Sequence, residues 1–372
     1  MQRPYMLILA SALITCPLVA FSDAPAAPKK PVGPTVPAQA KVITTPTSPI
    51  VKNNANLFFS AEYLLMTATE GGISYARQNF AQFASPYGDQ KTRKCYELDL
   101  DWNSGFRLGM GYNMGHDRWD TKMTWTWMLN HGHDHQSDMT NQLYSTNAMP
   151  GKNPEAGVLA DSFSSHINIH LNLLDWQLGR EFFLSKWLKV RPFAGLKTGW
   201  VHQDWKTKAT GHVQVSGATL SEYVVKMKQK FWGIGPMIGM NSEWGLVSNL
   251  SLYANGSFAL LTGFFDDHRN DIAFQASPSA VINNPFSKRS HNSQSLTELQ
   301  LGLRWNQWCG HDRYRLSIQA GWDAILFNDH NHYFAVNGQG SGQVGAGQTQ
   351  HLQELTGDLM FQGMSVGCRL DF

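Results

Sequence analysis

Strict alternation of hydrophobic and polar side chains over unusually long runs is the feature that most constrains this chain. From Met360 to Phe372, one parity holds Met360, Met364, Val366, Cys368, Leu370 and Phe372, broken only by Gln362. The other parity holds Phe361, Gly363, Ser365, Gly367, Arg369 and Asp371. Side chains two apart in a strand share a face, so this segment presents one oily and one small or polar surface. From Tyr314 to Leu326 the same pattern persists for about thirteen residues, against ~5–6 for a soluble sandwich strand. A tilted strand crosses lipid with ~9–11 residues. The pattern suits lipid on one side and water on the other.

Ten segments carry this period. They are Leu57–Leu65, Phe106–Tyr112, Trp119–Leu129, Ile167–Leu173, Val190–Trp200, Trp232–Met240, Leu250–Phe258, Leu299–Trp305, Tyr314–Leu326 and Met360–Phe372. Short links near 114–118, 182–188, 242–248 and 309–313 alternate with longer ones at 68–92, 130–161, 207–221, 265–293 and 328–356. Short periplasmic turns and long outer loops are the order expected of an outer-membrane barrel. The expected fold is therefore all-β: a transmembrane antiparallel up-and-down β-barrel of about ten strands (range 8–14), with both termini periplasmic. In two runs the apolar set changes parity, from Leu173 to Leu174, Trp176 and Leu178, and from Val225, Met227 and Phe231 to Trp232. A β-bulge supplies the extra residue such a shift needs; two misplaced strand boundaries look the same. Tyr112, Trp119, Trp187, Trp244, Trp308 and Phe372 fall at strand ends, where amphipathic rings favour the headgroup level.

Composition agrees. Charged residues are only 16% of the chain, while it holds 33 Gly, 20 Phe and 13 Trp, a β composition. The net charge of +2 gives no ground for a nucleic-acid partner. Arg3 precedes an apolar run from Met6 to Ala20 and an Ala20-Phe21-Ser22 cleavage pattern, so 1–22 is expected to be a secretory signal peptide. Residues 23–54 are rich in Pro and Ala without a hydrophobic period and are expected to be a disordered periplasmic tether, leaving 55–372 for the barrel. Beyond the signal, Cys95, Cys309 and Cys368 are scattered, with no metal spacing among them.

Three stretches carry a family resemblance. They are Ala61-Glu62-Tyr63-Leu64-Leu65, the run from Trp102 through Gly105-Phe106-Arg107-Leu108-Gly109-Met110-Gly111-Tyr112-Asn113, and Asp117-Arg118-Trp119-Asp120. With the closing Gly363–Arg369 strand, they make the chain similar to the Legionella-type major outer membrane protein family, which also has members in chlamydia-related bacteria. That resemblance implies a pore-forming outer-membrane barrel, a porin-like protein passing small hydrophilic solutes by passive diffusion, with a structural role in the envelope. The alternative is a closed barrel acting as an adhesin or host-contact protein through its long loops. The terminal strand, with Leu370 and Phe372, resembles the signal by which the barrel-assembly machinery recognises its clients. Outer-membrane lipid and lipopolysaccharide are expected neighbours, a homo-oligomer and a host surface ligand further expected partners.

If the apolar parity faces lipid, the pore-lining parity offers Glu62, Arg107, Lys122, His166, His170, Asp175, Arg191, Lys197, Glu298, Arg304, Arg315, Asp323 and Arg369. Seven of these are Lys or Arg and four Asp or Glu, so a wet lumen is expected to favour anions. A closed interior in which these charges pair is the competing reading, because about ten strands enclose a narrow bore. His131, His133 and His135 alternate in one loop, a histidine-rich pattern able to hold Zn or Cu if the loop bends. No cofactor is expected, and no motif of the outer-membrane barrel enzymes is present, so the chain is not expected to be an enzyme.

Overall fold

A computed structural model describes residues 55–78, 94–114, 118–138, 143–146, 158–215, 218–275, 281–310, 313–338 and 350–372. The expected signal peptide and tether lie outside the described residues. Ten long strands build the molecule: β1 (Leu57–Glu70), β2 (Asn103–Asn113), β3 (Trp119–Ser137), β4 (Ser162–Arg180), β5 (Leu188–Val215), β6 (Ala218–Val247), β7 (Leu250–Gln275), β8 (Val281–Cys309), β9 (Tyr314–Phe327) and β10 (Leu359–Asp371). Each pairs antiparallel with its sequence neighbours, and β10 returns to β1 with Phe58 opposite Asp371 and Glu70 opposite Leu359. The sheet is thus a closed barrel with no free edge among these strands, the arrangement that satisfies every ladder group without water.

One end carries the short connections and both ends of the barrel sheet. Gly310, at φ +64 between β8 and β9, occupies a left-handed position that a side chain would strain. The Phe372 ring stacks on Phe59 at 5.6 Å, and its N–H donates to the Leu57 carbonyl at 2.9 Å, tying the last residue to the first strand. At the other end short strands (Ser74–Gln78, Lys94–Glu97, Leu143–Ser145 and Val158–Ala160) extend the wall. A separate hairpin pairs Phe334–Gly338 with Gln350–Glu354.

The wall has two storeys. Near the short-turn end apolar side chains point outward, as Leu196, Ile238, Leu301 and Val366 do, and polar ones point in. Further along the same strands the polarity inverts. In β4, Ile167, Ile169, Leu171 and Leu173 are buried inside at 0% exposure, whereas Leu174, Trp176 and Leu178 face outward. The β4–β5 ladder runs unbroken from Ser162 to Gly179 through this change. In β6, Phe231 is inside and Trp232 outside, again on a continuous register with β7.

The β-bulges expected at Leu173/Leu174 and Phe231/Trp232 are therefore absent. Side chains keep alternating, but the solvent outside changes from lipid to water while the interior turns from polar to apolar. The actual register shifts fall elsewhere, between Thr210 and Val213, Leu220 and Glu222, and Gly245 and Val247. By the same cause, much of the expected loops at 207–221 and 265–293, and the start of 130–161, is strand standing above the apolar belt.

Candidate functional site

The lumen of the lower storey is lined by charges in an almost complete set of ion pairs. Inward parity on β1 and β2 brings Glu62 and Arg107 opposite each other, with Arg107 Nη1 2.7 Å from Glu62 Oε2. The same nitrogen donates to Asp323 Oδ2 at 2.8 Å, reaching from β2 to β9 past two intervening strands. A second strut starts on β5: Lys197, with no exposed side-chain surface, lies 2.7 Å from Asp175 on β4 and 2.9 Å from Glu298 on β8. Arg191 Nε donates to Asp120 at 2.7 Å, and Arg304 bridges Glu243 at 3.1 Å and Gln319 at 2.8 Å. Gln319 passes the chain on to Glu62 at 3.0 Å. Arg369 donates to Asp371 and lies over the Phe58 ring, and Arg315 is buried opposite Asp371. Between these struts remains a polar cavity of about 130 Å³ to which Lys122, Gln177 and Asn241 contribute.

Eleven of the thirteen expected pore-lining residues thus sit in the lumen or its wall: Glu62, Arg107, Lys122, Asp175, Arg191, Lys197, Glu298, Arg304, Arg315, Asp323 and Arg369. His166 and His170 do not. They stand on β4 above the belt, exposed on the outer face, because Ile167 and Ile169 take the inward parity there. The lumen also holds Asp120, Glu181, Lys189, Glu243 and Asp371, none of them among the expected lining residues. With them, eight basic groups face eight acidic ones among the described residues, and the basic excess behind the expected anion preference disappears. Asp371 shares the parity of Arg369, and Asp120 follows the outward Trp119, so alternation carried to the strand ends reaches both.

The upper storey is closed. Leu64, Leu171, Val201, Phe231, Leu261 and Phe361 belong to one buried apolar layer across the bore. Into it folds the segment following β9, in which His330 and Asn331 are fully buried and Tyr333 nearly so. Its backbone is gripped by side chains from three strands. Gln229 donates to the His330 carbonyl at 2.7 Å and accepts from the His332 N–H at 2.8 Å; Gln294 donates to the Asn328 carbonyl at 2.6 Å and Arg269 to that of Phe334 at 2.6 Å. The His330 ring lies among Phe231, Phe265 and Phe327 at 5.1–5.6 Å between centroids, and Tyr333 meets Trp205 at 5.5 Å. Burial, then the neighbouring His332, pushes His330 down to about 3, so it is neutral there. Burial pushes Glu70 up to about 8, against one hydrogen bond from Gln203 at 3.0 Å. Burial, followed by the Glu354 charge, raises Asp267 to about 7. This plug has no sequence motif; Asn328-Asp329-His330-Asn331-His332 reads as a polar loop.

His131, His133 and His135 alternate along the outward face of β3 and remain apart. His131 and His133 approach Asp101 at 3.8 and 3.9 Å, and among the described residues no group of three or more His, Cys, Asp or Glu side chains is placed to hold a metal ion. Cys95, Cys309 and Cys368 are free and exposed.

A closed ten-stranded barrel with an apolar outer belt and a charged lower lumen defines an outer-membrane β-barrel protein. The family model described as Legionella pneumophila major outer membrane protein precursor matches residues 47–372, and the chain belongs to that family. No curated protein matches it. Among solved structures it is similar to the outer membrane protease OmpT from Escherichia coli, with 11% identity, 85% of this chain and 97% of that chain covered, and TM-score 0.41. It is also similar to the TodX deltaS2S3 mutant monoaromatic hydrocarbon channel (9% identity, 86% and 90% covered, TM-score 0.33). A third is a Pseudomonas aeruginosa FadL homologue (7% identity, 89% and 95% covered, TM-score 0.27). Likeness at these scores carries no argument about chemistry.

Proposed function

We propose that this protein is a gated outer-membrane channel for small hydrophilic solutes that rests closed, with its short-turn end facing the periplasm and its long-strand end facing outward. The plug carries this reading. Residues 328–334 fill the upper bore yet belong to a connection rather than to the wall, and they are held by hydrogen bonds of roughly 1 kcal/mol net from Gln229 and Gln294 and roughly 1.5–3 kcal/mol from the Arg269 guanidinium. Such a segment can leave without dismantling the barrel. Below it the polar cavity suits hydrated solutes, and balanced lumen charges favour weak ion selectivity.

The struts favour a second reading, a permanently closed barrel whose projecting strands and loops serve envelope structure or surface contact. Arg107 to Asp323 and Lys197 to Glu298 both cross the bore. Planar-bilayer recordings separate the two. Purified full-length protein should open rarely, and a variant with residues 329–333 replaced by Gly and Ser should conduct steadily. Silence from both, with heat-modifiable gel mobility intact, would favour the closed barrel. Steady conductance from the unaltered protein would reject the gate.

A further inference from the structure

Immediately above the apolar belt, the outward face of β4, β5 and β6 carries a cationic field. The belt ends on this face at Trp200 and Trp232, which are direct cross-strand partners. The next outward row sets His170 beside His202 and His202 beside Lys230. Two rows higher, His166 pairs with Lys206 and Lys206 with Lys226. The row between holds the one acid on these three strands at this level, Asp204, which is occupied by Lys228 at 2.9 Å. On β7, Asp266 lies directly opposite Lys230 in the ladder and makes its ion pair with Arg289 at 3.4 Å.

Among the described residues neither Lys206 nor Lys226 is ion-paired with an acid, and the two are neighbours across one ladder. Like charges directly opposite each other in a sheet are destabilising. Strands are ~5 Å apart and residues rise ~3.3 Å each, so Lys206 and Lys226 sit side by side and Lys230 stands about 13 Å further down its strand, a span that calls for a headgroup with two separated phosphates. The patch rests on the Trp200–Trp232 pair at the upper edge of the apolar belt, which favours a ligand with an apolar part.

We propose that Lys206, Lys226 and Lys230, with His166, His170 and His202 around them, form a binding site for the phosphorylated sugar headgroup of an outer-leaflet glycolipid whose acyl chains lie against the belt below. Each phosphate would take charge-assisted hydrogen bonds from lysine and offset the mutual repulsion of the cluster. The inference rests on the proposed orientation, because a phosphorylated glycolipid meets this face only if the long-strand end is outward.

The test uses full-length protein in detergent micelles. Native mass spectrometry measures binding of diphosphorylated lipid A, chemically dephosphorylated lipid A and inorganic phosphate. Intact protein should retain the diphosphorylated lipid at least tenfold better than the dephosphorylated one. The Lys206→Gln/Lys226→Gln/Lys230→Gln variant should lose that preference with unchanged heat-modifiable mobility, and Lys288→Gln, whose lysine is already paired with Glu354, should keep it. Equal retention by intact protein and triple variant would overturn the site. Binding of inorganic phosphate alone with the same lysine dependence would overturn the lipid as its ligand. In cells, biotinylation of Lys206→Cys from outside reports orientation separately: lipid binding in micelles without surface labelling would refute the orientation and leave the site standing.

Discussion

The lower and upper storeys are built from the same ten strands and solve opposite problems. Below, lipid outside requires apolar side chains such as Leu196 and Ile318 to point out, and the charges left inside must satisfy one another. Above, water outside accepts Lys206 and His170, and the interior fills with Ile169, Phe231 and Phe265 as in a soluble core. Alternation is common to both. What differs is the medium beyond each face, so strand geometry can run through a boundary at which every hydrophobic assignment inverts.

The strongest break in this comparison should come from charging the upper interior. Ile169→Arg places an unpaired cation in the apolar layer and should abolish folding, whereas His170→Arg next to it, facing water, should change stability by less than ~0.5 kcal/mol. Heat-modifiable gel mobility after refolding separates them. Removing one partner from the lower struts should cost slightly less: Lys197→Met leaves Asp175 and Glu298 unpaired and should cost about 3–5 kcal/mol in denaturant unfolding. On the outer belt, Ile318→Arg should cost roughly 2–4 kcal/mol, with the loss depending on depth in the bilayer.

A pH titration sharpens the contrast further. Glu70 is a carboxyl raised to about 8 in the folded protein from an ordinary 4.5, so the folded state holds a proton that the unfolded state releases between those values. Its contribution is full at acid pH and is lost as pH rises from 4.5 to 8. Glu70→Gln should therefore flatten the fall in stability across that window, by a few kcal/mol at most. Thermal unfolding of both proteins at pH 5 and pH 8.5 measures it, and parallel pH profiles would show that Glu70 ionises freely when folded.

The lower storey was legible because lipid imposes one rule on every outward residue. Strand number and the four short turns follow from alternation and its interruptions. The upper storey was not, because its inward isoleucines and leucines give the same period as lipid-facing ones. Alternation alone therefore assigns Ile167 to Leu173 to lipid and His166 and His170 to the lumen. The plug is illegible for another reason: His330, Asn331 and Tyr333 are buried by partners up to 260 residues distant, Gly71 being the farthest bonded one, and no local pattern encodes that.

The inversion itself is most directly tested by thiol accessibility along β5 in liposomes, with the native cysteines replaced. Leu196→Cys, Thr198→Cys, His202→Cys, Asp204→Cys and Lys206→Cys all point outward and differ only in height. A membrane-impermeant maleimide should leave positions 196 and 198 unmodified and label 202, 204 and 206 rapidly. Protection continuing through 206 would place these residues in lipid and contradict the two-storey account.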